Sequence, residues 1–82
     1  MIPFVGQTVL TEGISSNGVT VHPAIVTRVW SPGQALAAGP VALNVTVLPD
    51  LHPPVSRSSV LLFANREAAR ASGNGLAAFP VE

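Results

Sequence analysis

From Val41 to Leu48 the chain alternates without a break, with Val41, Leu43, Val45 and Val47 on one side and Ala42, Asn44, Thr46 and Leu48 on the other. A period of two places successive side chains on opposite faces of an extended backbone, so this segment is a β-strand with one apolar face. Slipping its pairing by one residue would turn the valine face to water, which fixes the register of its neighbours. Pro49-Asp50 ends the run. A second apolar run, His22 to Trp30, precedes it across a connector that contains Ser31-Pro32-Gly33 and closes on Gly39-Pro40. That is turn chemistry, and the two runs read as adjacent strands.

Further strands are expected on either side. One spans Val5 to Thr11, followed by a loop from Glu12 that ends in a tight Asn17-Gly18 turn. Val19 to His22 resumes a β-prone run, and Pro23, which has no N–H for a ladder, predicts a bend. Beyond it Ile25, Thr27 and Val29 share one face and Val26, Arg28 and Trp30 the other, as in a central strand covered on both sides. Leu51-His52-Pro53-Pro54 reads as a stiff extended arm, because a residue before proline is pushed out of the α region. Arg57 to Phe63 is another strand. Asn65 offers an N-cap to a two-turn helix, Arg66 to Ala71, that ends at Ser72-Gly73-Asn74-Gly75, and Leu76 to Pro80 forms a last short strand. So short a helix does not hold alone and must dock. Several short strands with turns between them predict a mainly β domain, a small barrel or sandwich of about five strands.

Side-chain chemistry is scarce. The 82 residues, one domain over 1–82, contain no Cys and no Tyr, and the four cations are all arginines, Arg28, Arg57, Arg66 and Arg70, against Glu12, Asp50, Glu67 and Glu82. Charged residues make up 10% of the chain, where soluble domains average roughly 25%. Net charge is zero. Four dispersed arginines provide no phosphate-tracking stripe, so no nucleic-acid partner is expected. The chain has no bilayer-length apolar run and no secretory leader ahead of one, so no membrane partner is expected and synthesis in a host cytoplasm is the expectation. A domain this small has a marginal core, and without disulfides the remaining support is association with copies of itself or with other proteins.

His22, His52 and Asp50 are the residues from which an acid/base or metal site would be built. Both histidines precede a proline and read as partly exposed polar residues. A stable metal site needs three or four ligands, and Glu12 is the one further candidate, so neither metal nor cofactor is expected. No serine lies in a Gly-x-Ser-x-Gly elbow, and no catalytic residue is assigned. Asn44-Val45-Thr46 matches a glycosylation acceptor but sits in the alternating strand. Trp30 shares a strand face with Arg28, and the pair is either a recognition anchor or, as the bulk of Trp30 favours, a plug for the barrel end with Phe4, Phe63 or Phe79.

Gly6-Gln-Thr-Val9, Pro23-Ala-Ile-Val-Thr-Arg-Val-Trp30, Val41-x-Leu-x-Val-x-Val-Leu-Pro-Asp50 and Arg57-Ser-Ser-Val60 together resemble a family of small proteins of tailed bacteriophages, mostly of unassigned function. The resemblance implies a compact SH3-like β-barrel with one short helix near the C-terminus, and supplies no catalytic residue. Relatives end in Gly-x-Trp-x-Trp-Pro-Glu, whereas this chain ends Gly75-Leu-Ala-Ala-Phe-Pro-Val-Glu82, with the two aromatics replaced.

The functional expectation is therefore a non-enzymatic module of a phage particle, a decoration, cement or other minor virion protein that contacts its own copies or capsid or tail proteins. Leu51, Pro53, Pro54, Val55 and Phe79 are its expected contact residues, and the termini and proline arm are expected to add strands to neighbouring sheets. The alternative is an oligomeric binding module that sequesters a nucleotide-like host signal or blocks a host protein. Arg28, Trp30, His52 and Arg57 would then converge on a small-molecule ligand.

Overall fold

The computed structural model describes residues 1–81. Five strands close into a barrel in chain order: β1 (Thr8–Ser16), β2 (Val19–Val29), β3 (Val41–Val47), β4 (Val55–Leu62) and β5 (Ala77–Pro80). A single 3₁₀ turn, Leu36–Ala38, links β2 to β3, and helix α1 (Arg66–Ala71) links β4 to β5. The first four strands form an antiparallel meander. β5 returns to pair with β1 from Val9↔Pro80 to Glu12↔Ala77 and meets β4 in parallel at Leu62↔Ala78. This is the expected mainly β fold, a small closed barrel of five strands with one short helix near the C-terminus.

The alternation of β3 becomes the core. Val41, Leu43, Val45 and Val47 are all buried and meet Val9, Ala24, Val26, Val60, Leu62 and Ala78 inside the barrel. Each such side chain contributes roughly 1.5–3 kcal/mol by leaving water. A smaller cluster of Ala69, Ala77 and Phe79, flanked by Leu10, Val21 and Phe63, seats α1 against β5. The helix is capped as its sequence requires, with Asn65 Oδ1 accepting the Ala68 N–H at 2.8 Å.

Three features depart from the sequence expectations. β1 begins later and runs on through Gly13 to Ser16, so the expected loop shrinks to the turn at Asn17 and Gly18, both at positive φ. Gly13 explains the continuation: at φ +138° a Cβ there would run into the Gly75 carbonyl and the Leu76 Cα, so only glycine lets β1 pass beneath the chain entering β5. Second, Pro23 does not interrupt β2, which keeps its register with β1 from His22 through Ala24. In an antiparallel ladder a residue's N–H and C=O point to the same neighbour. The Pro23 carbonyl accepts from Leu48 N at 2.9 Å, just past the last β3 pair, so the missing N–H falls at the ladder's end. Third, β2 carries a bulge between Val26 and Arg28, which resets its alternation. Val26 and Val29 therefore both pack on the core while Arg28 and Trp30 face outward, in place of the expected Ile25/Thr27/Val29 face.

Helix α1 is fastened by charge as well as by Ala69. Arg66 and Arg70, four residues apart and hence on one face, both grip Glu12 of β1, at 3.0 and 2.9 Å. Hydrogen bonds from Arg70 and then Arg66 hold the Glu12 carboxyl at a pKa of about 2, well below its ordinary 4.5.

Gly13→Ala should lower stability by about 3 kcal/mol, a fall in Tm of roughly 15 °C, since it adds a backbone collision to strain. Gly18→Ala, also at positive φ but in open space, should lose only about 1 kcal/mol in the same thermal melt. The pKa of Glu12 is depressed on folding, so its contribution is complete above about pH 4.5 and disappears as pH falls through about 2. The stability gap between wild type and Glu12→Gln in denaturant titrations should accordingly narrow over that window and be constant above it.

Candidate functional site

Bulges on both neighbours of β3 set up the most organised exposed cluster. β2 bulges at Thr27 and β4 between its Val60 and Arg57 pairs, and Asn44 lies level with both irregularities. Ser59 in the second bulge has φ +56°, and its amide is satisfied by Asn44 Oδ1 at 3.1 Å. The same oxygen accepts the Trp30 indole N–H at 2.8 Å. The Arg28 guanidinium lies over the indole, 3.8 Å from the ring centroid. Trp30 is thus held on two sides while 45% of it stays exposed. An aromatic ring whose rotamer is fixed before binding loses little entropy on contact, which is the property of an interface anchor.

Trp30 is therefore not the barrel plug its size favoured. The bulge at Thr27 turns it out, and the inside is filled by valines, leucines and alanines. Phe79 and Phe63 take part in the second cluster, and Phe4 is exposed in the N-terminal segment with Met1, Ile2 and Val5.

The opposite end of the barrel carries a second apolar feature. Val19, Val21, Pro23, Leu48, Pro49 and Leu51, with His22 and Asp50, line a groove of about 410 Å³ between the β1–β2 turn and the β3–β4 loop. Leu51 is 87% exposed and sits at φ +50°. A left-handed conformation costs a branched residue on the order of 1–2 kcal/mol, so the neighbouring contacts must impose it. Asp50 supplies them. Its N–H donates to His22 Nδ1 at 3.3 Å, its carbonyl accepts from Ser16 Oγ at 2.8 Å, and its Oδ2 accepts from Asn17 Nδ2 at 2.9 Å.

His22 is the buried pin of this arrangement, 2% exposed rather than partly exposed as its sequence context implied. Its Nε2 lies 2.9 Å from the Ile14 carbonyl and its Nδ1 takes the Asp50 amide. A carbonyl only accepts and an amide only donates, so the ring is the Nε2–H tautomer with both nitrogens engaged. It has no lone pair left for a metal or a substrate proton.

Of the residues expected to converge on a ligand, Arg28 and Trp30 meet, whereas His52 lies apart from them. The Trp30 amide pairs with Ala42 at the start of β3, whereas His52 lies in the loop after its end. The seven residues of β3 put roughly 20 Å between them. Arg57 lies opposite Val45 and donates to the Ser56 carbonyl, and His52 Nδ1 is 2.8 Å from the Pro53 carbonyl. Of the expected contact residues, Leu51, Pro53 and Pro54 are exposed. Val55 is partly buried and packs on the main core opposite Val47, while Phe79 is only 4% exposed and so belongs to the fold and not to a contact surface. The β3–β4 loop also begins as a turn, with His52 N near the Pro49 carbonyl at 3.4 Å, rather than as an extended arm.

Sequence reasoning passed over Asn44, Val19 and Leu48. The signal for Asn44 was its place as the one amide in an otherwise apolar and hydroxyl-bearing strand. Among the described residues no three His, Asp or Glu side chains gather as a metal site, and no helix is long and apolar enough to cross a membrane.

Asn44→Ala removes the acceptor shared by the indole and the Ser59 amide. It should cost about 1–2 kcal/mol. Iodide should quench Trp30 fluorescence more efficiently, and the Ser59 amide should exchange faster with solvent, in the variant than in the wild type. Protein-family models, curated proteins and solved structures offer no match to this chain, so its function is read from this geometry and from its own residues.

Proposed function

We propose that the protein is a non-enzymatic assembly module of a phage particle, a decoration, cement or other minor virion protein that works through protein–protein contacts. One observation carries the reading: large apolar side chains are left exposed to solvent, Met1, Ile2, Phe4 and Val5 in the N-terminal segment, Trp30 just after β2, and Val19, Leu48 and Leu51 around the groove. Monomers seldom leave such side chains clustered and uncovered without a partner for them. Three of the groups that a hydrolase would draw on have structural partners instead. Glu12 holds two arginines, His22 has both nitrogens engaged, and Asp50 binds Asn17. The phage context comes from the resemblance of the strand motifs, and a neutral surface suits dense packing against copies and neighbours.

Particles banded on a density gradient from a lysate of the encoding phage provide the test. The protein should be present by quantitative mass spectrometry at a fixed copy number per particle. It should also stay bound through a high-salt wash, because apolar contacts are not screened as ion pairs are. Trp30→Ala should lower its retention at least about tenfold. Recovery only from the particle-free fraction would overturn the assignment.

A further inference from the structure

We propose that the Leu51 end of the barrel is where this chain pairs with a second copy of itself, the Leu51 side chain of each copy entering the groove of the other. This names a partner for the assembly reading above and rests on it for the premise that the exposed apolar ends are protein contacts.

The first argument is shape. Leu51, 87% exposed, is itself one rim of the groove of about 410 Å³, whose other walls include Val19, Val21, Pro23, Leu48 and Pro49, so a projecting apolar side chain and a recess share one patch. A two-fold interface uses the same patch on both partners, so it needs a protrusion and a matching recess side by side. A knob and hole at opposite ends would instead build an open chain of copies.

The second argument is preorganisation. Leu51 is kept at φ +50° and 87% exposed by the bonds that Asp50 makes to His22, Ser16 and Asn17. Leu48 N adds a bond to the Pro23 carbonyl at 2.9 Å, so both lips of the groove are tied to one another. Holding an apolar side chain in a strained, projecting conformation stabilises nothing in the lone barrel. In a pair, it presents an already ordered anchor to a desolvated recess.

The third argument is charge. The two loops of this end, residues 15–20 and 48–54, carry one acid, Asp50, and one imidazole, His52, and no Lys or Arg. Two copies brought together here by a two-fold axis therefore meet without a cluster of like charge. The chain's net charge of zero removes long-range repulsion between copies as well.

Sedimentation velocity and native mass spectrometry of the full chain across a concentration series test the pairing without any phage particle, so its failure is separate from failure of the virion assignment. A monomer–dimer equilibrium with no larger species is expected. Leu51→Asp should raise the dimer dissociation constant at least about 30-fold. Leu51→Gly should do the same while leaving the monomer at least as heat-stable, because glycine adopts positive φ without penalty, and this variant stands if the aspartate variant fails to fold. Trp30→Ala should leave the dimer unchanged. A monomer at every concentration would mean that a different protein covers this end, and a dimer indifferent to both Leu51 substitutions, or an open series of larger oligomers, would equally overturn the pairing.

Discussion

β3 has hydrogen-bonded partners on both sides, and its four odd-numbered residues are the centre of the core. Its register is therefore the constraint on which the other strands depend. A one-residue slip against either neighbour would bring Ala42, Asn44, Thr46 and Leu48 inside, where an amide and a hydroxyl would lose their partners. Both neighbours bulge next to Asn44, and a bulge bends and twists the strand that carries it. Closing a barrel from strands this short requires such bending. The Asn44 carbonyl oxygen, which satisfies the Ser59 amide and also holds the Trp30 indole, thus joins the curvature of the sheet to the most ordered feature of its surface.

What was legible in the sequence was what local chemistry decides. The β3 alternation, the Asn17-Gly18 turn, the Asn65 cap, the two-turn helix and the short β5 all depend on residues within a few positions of one another. What was not legible depends on distant partners. The bulge at Thr27 is a feature of the pairing with β3, and with Asn44 and Arg28 it sets Trp30 facing water. His22 is buried because its ring meets Ile14, eight residues away, and Asp50, twenty-eight away. Gly13 reads as a loop glycine, and only the return of the chain through Gly75 shows it to be a point of close contact. Phe79 carries no mark in the sequence that separates a contact residue from one buried beneath α1.

The charges follow the same division between fold and surface. Glu12 engages Arg66 and Arg70, which are fifty-four and fifty-eight residues away in sequence, and so fastens the helix that leads into the closing strand. Arg28 is applied to Trp30. A chain with four cations has used three of them internally, which leaves a surface whose recognition must come from shape and apolar contact.

Where such contact takes place is limited by the sheet itself. β5 meets β4 only near Leu62, so among the described residues the stretch from Val55 to Leu61 has a ladder to β3 alone. Among the described residues that is the long edge open to a neighbour's added strand, the kind of pairing expected of the termini and proline arm. It is poorly suited to it. Arg57 projects from its middle, and the bulge at Ser59, with positive φ, breaks the flat run of donors and acceptors that an added strand needs. The lateral wall is thereby guarded, and contact is directed to the two ends of the barrel, where the loops hold Leu51 and the bulge holds Trp30.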